Sequence, residues 1–365
     1  MKTRAAVAVG PETDLEIREV HLDEPRPDEL GITIVATGVC HTDAIIRDQW
    51  YPVPLPVVLG HEGAGIVNSV GSAVEGFSEG DKVVIGPAFC GECEQCIAGH
   101  PMYCANFYDR NFGVQRRDGS KAFSDDQGAI GSHFFGQSSF AEFTNVPAHG
   151  VVKVSDDAPL DILGPLGCGI MTGAGAVLNV LKPKPGSAVA VFGTGAVGMS
   201  GMLAAKASGA TTLIMVDIVE ERLQFAKELG ATHTINSKET DPVEAIKQIA
   251  AGGVNYALDT TGVPAVFSQM TKSLATMGHG ALVGAAKLGT EAPVDIGTLL
   301  LNGIHISLVI EGDAVPKELI PRLISLHAEG AFPFDKLINT YSFEDINQAF
   351  ADSAHGSTLK PVLTF

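Results

Sequence analysis

The sequence predicts an α/β protein of two domains, one rich in short β-strands and one built on a parallel sheet flanked by helices. Three observations carry this reading. Up to about residue 150 the apolar residues fall in short runs broken by Gly, Pro and Asp. From about residue 186 strand-like and helix-like stretches alternate. A glycine-rich turn, Gly193-Thr194-Gly195-Ala196-Val197-Gly198, marks the first alternation. A chain of 365 residues is long enough for two separate cores.

The early runs AAVAV, GITIVATGV, GAGIVNSV, DKVVIG and VVKV are each strand length, the pattern of a small barrel or sandwich. SAVAVFG then reads as a buried strand, followed by the glycine turn and the helical stretch MSGMLAAKASGA. TLIMVD, THTIN, YALDTTG and GALVGAA read as further strands. EERLQFAKELGA, DPVEAIKQIAAG and a segment through Met270 to Met277 read as helices between them. Such alternation gives a doubly wound parallel sheet of the Rossmann type. LLLNGIHISLVI reads as an edge strand, after which the alternation stops. PKELIPRLISLHAEG looks helical and KPVLTF extended. The tail is expected to return to the first domain. Residues 1–169 and 312–365 then form one domain and 170–311 the other, with a cleft between them.

Hydrophobic residues at 45% and charged residues at 18% fit an ordered globular chain. The formal charge of −18, from 24 basic and 42 acidic residues, argues against nucleic acid, because a phosphate backbone needs a basic footprint. It argues equally against an anionic membrane surface. No run approaches the roughly 20 apolar residues of a membrane span. The first apolar run ends at Gly10-Pro11, too short for a secretory segment. A cytoplasmic enzyme is the expected class.

Four of the six cysteines crowd together: Cys90-Gly91-Glu92-Cys93-Glu94-Gln95-Cys96, then Cys104. Disulfide frameworks belong to small secreted chains. Two C-x-x-C steps with a fourth thiol nearby can instead hold zinc tetrahedrally, with no open position, so that the metal is structural. The alternatives are a redox dithiol or four unrelated core cysteines. A nucleic-acid zinc ribbon would share the spacing, but the chain lacks the basic surround.

Cys40-His41-Thr42-Asp43 follows one predicted strand, Gly60-His61-Glu62 follows PLPVVL, and Cys168 lies in GPLGCGIMTG. Alone each is weak, since a lone Cys is commonly a small buried hydrophobe. Together, with GHEGAGIVNSVGSAV at 60–74 and its Gly65 and Gly71, they resemble the zinc-dependent medium-chain alcohol dehydrogenases over essentially the whole chain. The stretches VCHTDAIIRDQWYPVPLPVVLGHEG, HFFGQSSFAEF and VIEGD look most like the aryl-alcohol (benzyl alcohol) members.

The resemblance implies that the β-rich domain is GroES-like. It implies a catalytic zinc held by Cys40, His61 and Cys168, with a fourth position open. Asp43 would fix the tautomer of His61, and Glu62 would lie behind the metal or join it transiently. A reversible NAD-linked oxidation of a primary alcohol follows, by hydride transfer from an alkoxide on the zinc, with Thr42 taking the alcohol proton. Many members carry a His five residues after the first zinc cysteine to end the proton relay. Ile45 stands there in this chain.

The glycine turn has the context a dinucleotide fingerprint needs, with a strand before it, a helix after it and an acidic residue, Asp217, closing the next strand. Gly193 permits the turn, Gly195 lets the pyrophosphate approach, and Gly198 lets helix and strand pack. Ala196 and Val197 open the helix toward the phosphates. Asp217 favours NAD over NADP, and Arg222 is near enough to reach the ribose and admit some NADP. The resemblance places His41 and Lys360 at the pyrophosphate and Thr172 at the nicotinamide; otherwise Lys360 is a solvated surface lysine.

It also assigns Ile45, Trp50, Phe140 and Ile310 to the substrate pocket, with Gly86 leaving room for a ring. A primary alcohol with a large apolar group, benzyl or an allylic terpene, is the expected substrate. The edge strand suggests a homodimer, with a homotetramer the alternative. The rival readings are a zinc-free reductase of the same fold, an S-(hydroxymethyl)glutathione dehydrogenase, and a non-catalytic nucleotide-binding protein. All three zinc-ligand positions being filled counts against the first and the last.

Overall fold

The computed structural model describes residues 1–365 and divides them into two units. The first comprises Met1–Cys168, Val315–Pro321 and Leu337–Phe365. One of its sheets runs in the order Val57–Val58, Lys2–Ala8, Glu16–Leu22, Phe123–Asp125 and Gly128–Ile130. The other runs Val151–Lys153, Lys82–Ile85, Gly63–Val70, Glu29–Gly38, Lys360–Thr364 and Ile338–Ser342, with Phe143–Pro147 also on Glu29–Gly38. Glu29–Gly38 is nearly all buried because it is central, with three strands pairing along its length. Its apolar residues Leu30, Ile32 and Ile34 pack with Val67, Val83 and Val146.

Two registers on this strand position the site. Thr37 lies opposite Gly63 and Val362 opposite Gly38, both antiparallel. Cys40 just past one strand end therefore meets His61 just before the next, and the returning chain end brings Lys360 beside them.

At the start of the same strand Glu29 is buried with Arg116 and His133. Arg116 Nε and Nη2 donate to its two oxygens at 2.8 and 3.0 Å, and His133 Nε2 lies 2.9 Å from Oε1. Burial alone would raise the Glu29 pKa, but His133 and Arg116 outweigh it and hold the group down to about 2. A carboxyl depressed from its ordinary 4.5 stabilises the fold above pH 4.5, and that contribution is lost as pH falls toward about 2. Glu29→Gln should cost about 3–5 kcal/mol at pH 7, because a buried charge loses its partner. The gap between variant and wild type in urea midpoint should narrow below pH 4.5; a gap constant from pH 7 to pH 3 would refute this.

The second unit comprises Gly169–Ala314 and Arg322–Lys336. Its sheet is wholly parallel, in the order His233–Asn236, Thr212–Asp217, Ala188–Phe192, Val254–Asp259, Leu274–Leu282, His305–Leu308. With Ala188–Phe192 as the first strand this is the doubly wound order 3-2-1-4-5-6. The helices Ala196–Ala207, Glu220–Leu229, Pro242–Ile249 and Pro264–Lys272 fall between the strands. Asp241 caps one of them, accepting from Val243 and Glu244 N–H groups ahead of a first-turn Pro242.

Three expectations need correction. The helix expected through Met277 ends at Lys272, because Leu274 pairs with Val254 and draws the next residues into a strand. All of LLLN is helical, within Ile296–Asn302, because Asp295 caps that helix; only His305–Leu308 forms the edge strand. The tail does not return whole to the first unit. Arg322–Lys336 packs with the second, burying Leu323, Phe332 and Phe334. The unit boundaries fall at Cys168/Gly169 and Ala314/Val315. No single helix is long and apolar enough to cross a membrane.

Candidate active site

Ligand atoms of Cys40, His61, Glu62 and Cys168 lie within 4.8 Å of one another. His61 is fully buried between two constraints. Its Nδ1 lies 2.9 Å from Asp43 Oδ1, and its Nε2 is buried without a hydrogen-bond partner. An orphaned buried imidazole nitrogen facing two thiols fits a metal ion, and the Nδ1 contact to a carboxylate is the usual way such a ligand is oriented. Burial opposes charge on the imidazole, and the Asp43 carboxylate reverses this and raises its pKa.

Asp43 sits in the first turn of the helix His41–Arg47 and is itself fully buried. Besides His61 it accepts from Gly60 N–H on Oδ1 and Cys40 N–H on Oδ2, both at 3.0 Å. One carboxylate thus ties the two segments carrying Cys40 and His61. Thr42 is half-buried, its Oγ1 3.8 Å from Cys40 Sγ. His41 is exposed and meets the Trp50 ring edge-on at 6.2 Å.

Glu62 lies beneath the strand end where Gly38 has no side chain; a Cβ there would fall 1.9 Å from Glu62 Oε2. Lys360 is not a solvated surface lysine. Its Nζ is buried and donates to both Glu62 oxygens, at 2.8 and 3.0 Å, and to the Val39 carbonyl at 3.3 Å. Those three acceptors use every ammonium proton. Burial alone would lower the Lys360 pKa, and Glu62 raises it instead.

The second cluster, Cys90, Cys93, Cys96 and Cys104, also gathers within 4.8 Å. Sulfurs bound at about 2.3 Å around a tetrahedral zinc stand about 3.8 Å apart. Cys90 and Cys96 are 3.8 Å apart and Cys93 and Cys104 4.0 Å. Backbone N–H groups of Cys90, Cys93, Ala105 and Asn106 point at these sulfurs. The Ala105 N–H heads the causes that bring the Cys93 thiol down to about 6. No cysteine in the chain is bridged. The set fits a closed metal site.

In the second unit Gly193 takes φ 93°, and a Cβ on Gly198 would strike the Gly193 carbonyl at 1.9 Å. A Cβ on Gly195, which precedes the helix Ala196–Ala207, would meet nothing within 4 Å, so the turn leaves room where a pyrophosphate would sit. Asp217 is pinned: Oδ2 accepts from Thr194 N–H and Oγ1, both at 2.6 Å, and Oδ1 from Ile218 and Val219 N–H groups. Arg222 Nε is buried and makes no hydrogen bond. Thr172 Oγ1 donates to Glu311 at 3.1 Å.

The pocket residues separate. Ile45 is buried, while Trp50 and Ile310 are 43% exposed. Phe140 is a core residue rather than a lining one, since Ala6 and Leu59 bond its backbone and Phe350 meets its ring at 5.9 Å. Gly86 is not open, because an added Cβ would lie 3.3 Å from Pro316 and 3.4 Å from the Gly150 carbonyl.

Three residues given no role from the sequence surround His61. Phe135 stacks on His61 at 4.6 Å and Phe134 meets it edge-on at 5.4 Å. Gln137 donates to the His61 carbonyl and accepts from Gly63 N–H. The doubled Phe of HFFGQSS was the only visible hint.

The alcohol dehydrogenase GroES-like domain family matches residues 26–156, and the zinc-binding dehydrogenase family matches residues 196–329. A geraniol dehydrogenase of Castellaniella defragrans is 42% identical, over 96% of this chain and 94% of that protein. A crystal structure of benzyl alcohol dehydrogenase from Acinetobacter calcoaceticus superposes with TM-score 0.98 at 49% identity, covering 100% of this chain and 99% of that one. An alcohol dehydrogenase zinc-binding domain protein from Burkholderia ambifaria does so with TM-score 0.98 at 52% identity, over 100% and 99%. The chain belongs to the zinc-binding alcohol dehydrogenase family, in its two-domain medium-chain form with a GroES-like and a Rossmann-type domain. Zinc and a nicotinamide dinucleotide are the cofactors of that family.

Proposed function

We propose that the chain oxidises aromatic or allylic primary alcohols to aldehydes with NAD, reversibly. The Cys40–His61–Cys168 set, with His61 and Cys168 buried and His61 Nε2 without a hydrogen-bond partner, carries the reading. Zinc bound there supplies Lewis acidity toward an alcohol hydroxyl or an aldehyde carbonyl. Asp43 holds His61 in its ligating tautomer, and Glu62 with Lys360 forms a buried charged floor beside the set. Thr42 would accept a hydrogen bond from the alcohol hydroxyl and pass its own proton on to water as the alcohol loses one, and a bound NAD would supply the hydride acceptor for the α-carbon. With Ile45 buried on the same helix, no imidazole at that position extends the relay. Gly193–Gly198 and the helix they open take the pyrophosphate, Asp217 the adenine-side ribose hydroxyls, and Thr172 lies toward the nicotinamide. Cys90, Cys93, Cys96 and Cys104 hold a second, structural zinc.

The substrate class is supported by what the relatives' names share. Geraniol and benzyl alcohol are both primary alcohols with a π-system next to the reacting carbon. A homodimer is supported by the place of His305–Leu308 as the last strand of its sheet, and by the exposed Leu300 and Leu301.

Metal analysis should find two zinc per chain; one or none would overturn the assignment. A steady-state panel of benzyl, cinnamyl and geranyl alcohols, ethanol and hydroxymethylglutathione should show the first three ahead by kcat/KM. Preference for the glutathione adduct would overturn the substrate class.

A further inference from the structure

We infer that Phe135 is a positioning residue for His61 and that, through the helix Phe107–Phe112, it links the His61 site to the four-cysteine cluster. The inference rests on the two-metal reading above. The Asp43 carboxylate fixes one atom of the imidazole, Nδ1, and leaves the ring free to pivot about that contact. Phe135 removes the freedom. Its ring lies 4.6 Å from the His61 ring, with an interplanar angle of 29°, and Phe134 closes in edge-on at 87°.

Phe135 is held for this purpose at some cost. Its backbone lies at φ 50°, ψ 33°, with His133 at φ 62° and Ser138 at φ 53° around it. An aromatic residue in that left-handed region is uncommon and persists only where its surroundings enforce it. The enforcing element is the helix Phe107–Phe112, whose Phe112 and Phe107 rings abut Phe135 at 5.2 and 6.4 Å.

That helix is anchored to the cysteine lobe at both ends. Phe107 N–H donates to the Cys104 carbonyl at 2.8 Å. The fully buried Asn111 exchanges two hydrogen bonds of 2.9 Å with the backbone of Ala88, two residues before Cys90. Cys104 and Cys90 thus fix the helix, the helix fixes Phe135, and Phe135 fixes the plane of His61. A lobe that looks purely structural sets the geometry of the other site's imidazole ligand.

The test uses the full-length protein carrying Phe135→Ala, Phe135→Leu or Phe135→Tyr. Phe350→Leu serves as a buried aromatic control elsewhere in the core. Zinc release to a chelator is followed in the absence of NAD, together with the visible bands of cobalt(II) exchanged into the Cys40–His61–Cys168 set. Release of one of the two zinc ions should quicken about 10- to 100-fold in Phe135→Ala. It should quicken less in Phe135→Leu, which also serves if the alanine form does not fold, and should return to wild type in Phe135→Tyr. The cobalt bands should shift in the same order. Wild-type release rates and bands in Phe135→Ala or Phe135→Leu would overturn the inference, as would equal quickening in Phe350→Leu. A wild-type protein holding fewer than two zinc ions would instead overturn the two-metal reading itself.

Discussion

Asp43→Ala is expected to strip the Cys40–His61–Cys168 set of its metal and to remove turnover with it. Three donors lose their acceptor at once: Cys40 N–H, Gly60 N–H and the imidazole nitrogen of His61. All three face a fully buried carboxylate, so no water takes its place. An unsatisfied buried donor costs about 1–3 kcal/mol, and the total falls short of the sum because the three share one pocket that relaxes together. The larger effect is on the metal. Removing the carboxylate behind a ligating imidazole costs about 10- to 100-fold in affinity, and here the same carboxylate also ties Cys40 to the His61 segment. Asp43→Asn keeps one acceptor oxygen and so loses less than Asp43→Ala, but it is not neutral. An amide nitrogen turned to either side would confront a donor, Cys40 N–H on one and Gly60 N–H with His61 on the other. Excess zinc should therefore restore part of the activity in Asp43→Asn and little in Asp43→Ala. Retention of two zinc ions and wild-type kcat by Asp43→Asn under chelator challenge would refute the role.

The reach of the sequence differed between the two metal sets for a physical reason. Cys90, Cys93, Cys96 and Cys104 lie on one loop, so local chain geometry brings them together and their spacing is readable. Cys40, His61 and Cys168 are brought together by strand register. Thr37 opposite Gly63 places Cys40 against His61, and no local pattern encodes which residues two distant strands will pair. Resemblance to a family supplied those three. The same cause explains Lys360, whose position follows from Val362 lying opposite Gly38. A lysine near a chain end gave no sign of being buried on Glu62. The alternating pattern of the parallel sheet was legible because each strand and helix carries its own periodicity. Where tertiary pairing decides, as at Leu274 or in the split tail, periodicity was silent. The direction of the Phe135 ring depends on a left-handed backbone at His133 and Phe135 that no propensity foretells.

Asp217 governs the second large effect. Its Oδ1 is braced by Ile218 and Val219 N–H groups and its Oδ2 by Thr194, which fixes a negative charge at the end of the strand Thr212–Asp217. A ribose with a free 2′-hydroxyl can donate to that charge, whereas a 2′-phosphate is repelled by it. Asp217→Ser removes charge-assisted hydrogen bonds worth about 1.5–3 kcal/mol, so kcat/KM with NAD should fall about 10- to 150-fold. Part of any loss would come from the turn, since Thr194 also loses its acceptor. The two contributions separate on the cofactor ratio. Slackening of Thr194 harms NAD and NADP alike, while removal of the charge favours NADP alone. Arg222 has a buried Nε that makes no hydrogen bond, so a 2′-phosphate admitted by Asp217→Ser has a guanidinium to pair with. The ratio should therefore move toward NADP in Asp217→Ser and move back when Arg222→Gln is added. An unchanged ratio in Asp217→Ser would mean that Asp217 only braces the glycine turn and that cofactor choice is made elsewhere.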